Sequence, residues 1–366
     1  MSDPLRVMVV DDTALYRKLL GDALAQLEGV EVVGTADDGA MALRKVPLLR
    51  PDVLTLDVEM PVMDGLETLR RLRETAPQVK AIMVSAHTTQ GAQVTLRALE
   101  LGAFDFITKP TGADVAANMA SLQQQLQPLL VSLRTKKRLA VLRTQHSRPS
   151  SISEKPASRE MVTQGASGRC APARIDIVAI GVSTGGPQAL AQVLPRLPGQ
   201  LGVPIVIVQH MPPLFTTALA ESLAQKSALR VIEGQHGQEL QANTVYLAPG
   251  GKQMKLCRQG PQGRPSIVIT DDPPENHCKP SVDYLFRSVA HLYGPHALAV
   301  IMTGMGADGV LGLRLLKRQG ATVLAQDEAS CVVFGMPMEA IRAGVVDMVV
   351  PLERLAETMV QHIQRI

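Results

Sequence analysis

The chain has 366 residues and a formal charge of +3; 46% of its residues are hydrophobic, 2% are aromatic, and tryptophan is absent. That length predicts two domains with aliphatic cores, and so small a charge argues against nucleic-acid binding. Cys170, Cys257, Cys278 and Cys331 form no C-x-x-C pair, which argues against a zinc site or a disulfide framework and suits a reducing compartment.

The N-terminus, MSDPLRVMVVDD, meets acidic residues before a signal-like apolar region develops. No apolar run is long enough to cross a bilayer, so a cytoplasmic location without membrane insertion is expected. Apolar runs at Arg6–Val10, Val30–Gly34, Val53–Asp57, Ala81–Ser85 and Phe104–Thr108 read as strands. Between them, segments such as Ala14–Leu27 carry leucines at helical spacing. Five βα units predict a doubly wound parallel sheet with helices on both faces.

The carboxyl ends of those strands carry chemistry. Asp11 and Asp12 follow the first strand and Asp57 ends the third. Three carboxylates at one sheet edge repel one another unless a cation joins them, and oxygen ligands with open positions suit Mg²⁺. Ser85 ends the fourth strand and Lys109 follows the fifth; a hydroxyl and an ammonium there are suited to phosphoryl oxygens, with Asp57 as the nucleophile that forms an acyl phosphate. Singly, each has a plainer reading as a cap, a loop hydroxyl or a solvated lysine. In this order they resemble the response-regulator receiver family, over Met1 to about Gln127. The resemblance implies a flavodoxin-like receiver with Asp57 as phospho-acceptor, Asp11, Asp12 and Asp57 as Mg²⁺ ligands, and Ser85, Phe106 and Lys109 as switch residues. It also implies a histidine kinase as phosphodonor.

A helical region over Asp114–Leu142 leads into a stretch from Gln145 to Cys170 where Ser, Pro, Gly and mixed charge replace apolar periodicity, as in an exposed linker. The basic run RTKKR at Arg134–Arg138 reads as a solvated helix end. The expected division is therefore 1–127, a connecting 128–172, and 173–366.

After Ala173, strands are predicted at Ile175–Ile180, Pro204–Gln209, Thr244–Leu247, Ile267–Thr270, Leu298–Met302 and Thr322–Ala325. Helices are predicted at Pro187–Leu194, Thr216–Leu223, Val282–His291 and Val310–Gln319. The second half is thus a second, Rossmann-like α/β layer structure. Its first strand runs into AIGVSTGGPQAL, where Gly181-Val-Ser183-Thr-Gly185 fits G-x-S-x-G, a serine on a sharp strand-to-helix turn. A phosphate-binding loop is the chief rival, although neither common nucleotide fingerprint is present.

A serine nucleophile needs a base, and the base an orienting group. His210 ends VPIVIVQH, and Asp308 lies in the glycine loop of MTGMGADG, after another strand. His277 is the competing histidine, in DDPPENHCKPSVD; with Cys278 it also suggests a metal pair, but no second pair completes a site. Asp271, Asp272 and Asp283 are alternative acids, with turn or cap duty as their plainer reading. The order serine, histidine, acid differs from that of an α/β-hydrolase.

The segments AIGVSTGGPQAL, QHMPPLFT, YLAPGGKQM, KPSVDYLFRSVA, MTGMGADG and AQDEASCVVFGMP together resemble the chemotaxis-type protein-glutamate methylesterases. That resemblance implies Ser183 as nucleophile, His210 as base, Asp308 as orienting acid, the Met305 N–H as an oxyanion donor and Thr184 in support. It further implies hydrolysis of glutamate methyl esters on chemoreceptors, with glutamine deamidation, and no cofactor for the ester chemistry. A receiver-controlled transcriptional regulator and a non-catalytic adaptor are the alternatives.

Overall fold

The computed structural model describes residues 3–146, 174–258, 260 and 263–364. The linker expected from Gln145 to Cys170 lies outside these residues, apart from Gln145 and His146, which close a helix. Among the described residues, no helix is long and apolar enough to cross a membrane.

Strands β1 (Leu5–Val10), β2 (Val30–Ala36), β3 (Val53–Asp57), β4 (Lys80–Ser85) and β5 (Asp105–Thr108) form one sheet in the order β2-β1-β3-β4-β5. Every pairing in it is parallel. Helices α1 (Ala14–Ala25), α2 (Gly39–Leu49), α3 (Gly65–Thr75), α4 (Thr89–Glu100) and α5 (Val115–His146) connect and flank it. All five residues of β3 are buried, as expected of a central strand covered on both faces. Asp38, Asp64 and Thr88 start α2, α3 and α4 by accepting hydrogen bonds from Met41, Glu67 and Gly91 N–H, so local polar residues fix where each crossover turns into helix.

The second sheet contains β6 (Ile177–Val182), β7 (Ile205–Gln209), β8 (Arg230–Glu233), β9 (Thr244–Leu247), β12 (Ala297–Ile301), β13 (Thr322–Gln326) and β14 (Met348–Val350). Its order is β14-β13-β12-β6-β7-β9-β8, again all parallel. The chain builds outward from β6 through β7, then returns to add β12 on the other side. The resulting switch point between β6 and β12 is where such sheets open a crevice at their carboxyl edge. Helices α6 (Gly186–Val193), α7 (Phe215–Ala224), α8 (Val282–Tyr293), α9 (Val310–Arg318), α10 (Met336–Arg342) and α11 (Leu352–Ile363) complete the layers.

One expected strand departs from this plan. Ile267–Thr270 lies in β11 (Pro265–Thr270), which pairs antiparallel with β10 (Gln253–Arg258) in a separate two-stranded ribbon. Only Ile267 of β11 is buried, so this strand has one covered face and no place in a sheet enclosed by helices. The ribbon lies on α8, where the Leu256 N–H donates to Ser288 Oγ at 3.0 Å.

Candidate active site

The G-x-S-x-G turn has a steric basis. Gly181, in β6, lies so close to α8 that a Cβ would come within 2.4 Å of the Val282 side chain. Gly185 has φ +77°, a left-handed conformation that L side chains seldom adopt, and it lies against Val332. Between them Ser183 leaves the strand half-buried, and α6 begins at once with Pro187 in its first turn. Gly304, in the loop after β12, approaches from the side: a Cβ there would stand 2.7 Å from Ser183 Cβ and 2.4 Å from Met336 Sδ.

His210 follows β7, the strand beside β6, and Asp308 follows β12 on the opposite side. Their side chains meet, with His210 Nε2 2.8 Å from Asp308 Oδ2. Asp308 is buried and lies at the start of α8, accepting from the N–H groups of Val282 at 2.7 Å and Asp283 at 3.1 Å, and from the Ser281 hydroxyl at 2.9 Å. Helix N-termini leave such N–H groups without partners, so Asp308 satisfies them while facing the imidazole. Burial raises its pKa, but the His210 hydrogen bond and charge and these N–H donors outweigh that and hold it at about 2. For His210, burial favours the neutral ring, whereas Asp308 and Cys278 favour the imidazolium; the balance raises its pKa.

The other ring nitrogen has an unexpected neighbour. His210 Nδ1 lies 3.6 Å from Cys278 Sγ. Among the described residues the hydrogen-bond partners of the ring are Asp308 and Cys278, and Ser183 Oγ is not one of them. His277 is exposed at φ +61° and is not one of those partners. The competing acids are occupied elsewhere: Asp271 pairs with Lys252, Asp272 accepts from the Tyr284 hydroxyl, and Asp283 accepts from the Gly312 N–H. Met305 lies beside Gly304 and packs against the receiver-side core. Thr184 is buried, and its carbonyl accepts from Thr303 Oγ1 at 2.9 Å.

Sequence reasoning missed several supporting residues. Asn276 donates to both Asp308 and Asp283. Gln209 donates to the Ser183 carbonyl at 3.0 Å. Cys278 follows His277 directly in sequence, yet its side chain faces His210. Each gains its role through a contact across the fold, which no local pattern announces.

In the first sheet, Asp11, Asp12 and Asp57 present carboxylate oxygens within 4.8 Å of one another. Lys109 Nζ lies 2.8 Å from Asp11 and 2.7 Å from Asp57, and the second contact has hydrogen-bond geometry. Asp11 Oδ2 is buried and is the oxygen that faces Lys109 Nζ. Three carboxylates against one ammonium leave an excess of negative charge, which fits a hard divalent cation such as Mg²⁺. Burial pushes the Asp57 pKa up to about 6, with the Lys109 hydrogen bond opposing it and Asp11 reinforcing it. Ser85 is buried nearby at the end of β4.

The two halves touch where the serine loop lies. Phe106 of β5 stacks on Phe215 at the start of α7, with ring centroids 4.5 Å apart. Gln188 Nε2, on α6, donates to the Leu99 and Ala103 carbonyls, each at 2.8 Å. Glu100 accepts from Ser222 at 2.8 Å and pairs with Lys226. Burial pushes the Asp105 pKa up to about 6, against the opposing effect of the Thr184 hydroxyl and the Phe106 N–H.

Two family models match the chain: the response regulator receiver domain over residues 7–121 and the CheB methylesterase over residues 178–359. A protein-glutamate methylesterase/protein-glutamine glutaminase of Desulfotalea psychrophila is 48% identical, covering 98% of this chain and 99% of that protein. Its namesake in Bacillus subtilis is 42% identical, covering 99% of each. The crystal structure of the Thermotoga maritima CheB methylesterase catalytic domain covers 52% of this chain and 99% of its own, with a TM-score of 0.50 and 40% identity.

Proposed function

The chain belongs to the protein-glutamate methylesterase/protein-glutamine glutaminase family, and from that premise we propose a receiver-controlled serine hydrolase in which Ser183 attacks the side-chain carbonyl of a methylated glutamate. The observation that carries this reading is that Ser183, His210 and Asp308 follow three adjacent strands at one sheet edge, with His210 and Asp308 2.8 Å apart. We divide the chain into a receiver at 1–127, a connecting segment at 128–172 and a catalytic domain at 173–366.

Asp308 holds Nε2, which leaves Nδ1 of His210 to take the Ser183 proton. Among the described residues no hydrogen bond joins Ser183 Oγ to the His210 ring, and catalytic hydrogen bonds commonly form or tighten only around substrate. The oxyanion of the tetrahedral adduct meets the Met305 N–H, with Thr184 shaping the loop. Methanol leaves with the proton from the imidazolium, and water hydrolyses the acyl-serine by the reverse proton path. A glutamine side chain follows the same course with ammonia as the leaving group. The substrates are methylated chemoreceptors, and no cofactor takes part in the ester chemistry.

In the receiver, a histidine kinase supplies the phosphoryl group to Asp57. Asp11, Asp12 and Asp57 would hold Mg²⁺, which neutralises phosphoryl charge when bound. Lys109 and Ser85 receive the phosphoryl oxygens, and Phe106 couples that change to the interface. Docked as described, the receiver covers the serine loop, and phosphorylation releases it.

Methanol release from membranes bearing methylated receptor, with and without a small phosphodonor, tests this reading. The donor should raise the rate, and Ser183→Ala should abolish it while Asp57 still accepts phosphate. Near-normal turnover by Ser183→Ala would refute the assignment.

A further inference from the structure

Cys278 stands 3.6 Å from the one nitrogen of His210 that Asp308 does not hold. Asp308, Cys278 and His210 together form a cluster whose possible ligand atoms lie within 4.8 Å of one another. The two protein atoms that face each other there are an imidazole nitrogen and a thiol sulfur, a combination that selects zinc-like cations over Mg²⁺ or Ca²⁺.

The spacing fits such an ion. Zinc–nitrogen and zinc–sulfur bonds of about 2.0–2.1 Å and 2.3 Å, meeting at a tetrahedral angle, separate the two donor atoms by about 3.6 Å. The observed gap therefore matches the edge of a tetrahedral site before any ion enters. Asp308 is on the far nitrogen, so it does not ligate the same ion as Nδ1. It instead accepts the Nε2 proton and fixes the ring, the carboxylate–histidine–metal arrangement that ordinarily supports a zinc-bound imidazole. The five further donors that hold Asp308 (Asn276, Ser281, Val282, Asp283 and Gly309) keep that support rigid. Access exists as well, because the Cys278 side chain is only partly buried and that of His210 is 15% exposed.

We infer that a thiophilic divalent cation of the zinc class binds between His210 Nδ1 and Cys278 Sγ, with water in the remaining positions. The ion occupies the lone pair that would receive the Ser183 proton, so it inhibits hydrolysis reversibly. The inhibitory part rests on the assignment of His210 as base, whereas the binding part does not. Two protein ligands make this an open site, weaker than the four-ligand sites that hold zinc for structure.

The test uses the full-length chain in excess Mg²⁺, which keeps the acidic cluster of the receiver occupied. Cobalt(II) serves as a spectroscopic probe, and zinc(II) is titrated against methanol release. The wild type should develop a thiolate-to-cobalt charge-transfer band, and Cys278→Ser should lose it. Relative to its own metal-free rate, Cys278→Ser should need at least about tenfold more zinc for half inhibition, since loss of even a residue that only supports a ligand costs about that much. Cys278→Ala should behave alike and serves if the serine variant misfolds. Absence of a thiolate band in the wild type, or a band retained by both variants, overturns the site. Equal zinc sensitivity of wild type and both variants overturns it also. A band lost in the variants, combined with undiminished hydrolysis in saturating zinc, upholds the site and refutes His210 as the base.

Discussion

Phe106 and Phe215 stack at 4.5 Å between centroids and 17° between planes, joining the last strand of the receiver sheet to the helix that follows the His210 loop. Phe215 is fully buried, so the receiver aromatic completes a core rather than resting on a wet surface. Stacked aromatic pairs contribute about 0.5–1.5 kcal/mol beyond their area. Phe106→Ala should therefore raise methanol release by the unphosphorylated chain by roughly 2–10-fold, while the rate with phosphodonor changes little. An unphosphorylated rate equal to wild type would show that the stack does not hold the closed state.

Asp105 gives the same interface a pH dependence. Its pKa rises from 3.8 to about 6, with burial as the main cause. Burial supplied by the catalytic half makes Asp105 bind its proton more tightly in the docked state, against the Thr184 hydrogen bond. Docking is thus strongest below 3.8 and weakens as pH rises through about 6. Interdomain energy transfer in the unphosphorylated chain should fall across that range, and Asp105→Asn should flatten the curve. An unchanged curve in the variant would assign the dependence to another group.

Gly304 sets how closely the loop after β12 approaches Ser183. A methyl group there must displace Ser183 or Met336. Gly304→Ala should cost about 1–3 kcal/mol of stability by overpacking, and displacement of the serine by about 1 Å should cost on the order of 100-fold in kcat. Thermal unfolding and turnover measured on the same sample separate the two effects.

Asp308→Asn keeps shape but loses the charge that favours the imidazolium and fixes its tautomer. A drop in kcat of about 10⁴-fold is expected, with phosphorylation of Asp57 unaffected. A drop below tenfold would show that His210 works without an acid partner.

Lys109 lies between two buried carboxylates, at 2.8 and 2.7 Å. Lys109→Ala strips them of their cation and should destabilise the receiver by about 3–5 kcal/mol in Mg²⁺-free buffer. Added Mg²⁺ should recover more of the melting temperature in the variant than in the wild type. Equal recovery would count against a cation at that cluster.

The strands were legible because apolar runs bounded by turn residues reveal a buried parallel sheet without reference to partners. Thr244–Leu247 has the expected limits and most others shift by one or two residues. Ser183, His210, Asp57 and Ser85 stand at or just after strand ends, since every parallel strand delivers its last residue to the same edge. The short β8 and β14 carried too few residues to stand out, and β11 looked like a sheet strand because its isoleucines and valine resemble one. Cys278 was unreadable for a different reason: its partner lies 68 positions away, and nothing near either residue encodes the distance.

The position of β12 between β13 and β6 has a consequence for biosynthesis. Ser183 and His210 leave the ribosome well before Asp308, which follows a strand that inserts beside β6 and is made only after the β10–β11 ribbon and α8. Until then the serine loop lacks its Gly304 wall and the imidazole lacks its carboxylate. The nascent chain therefore carries Ser183 and His210 without the third member of the proposed triad, while every strand of the receiver sheet has already been made.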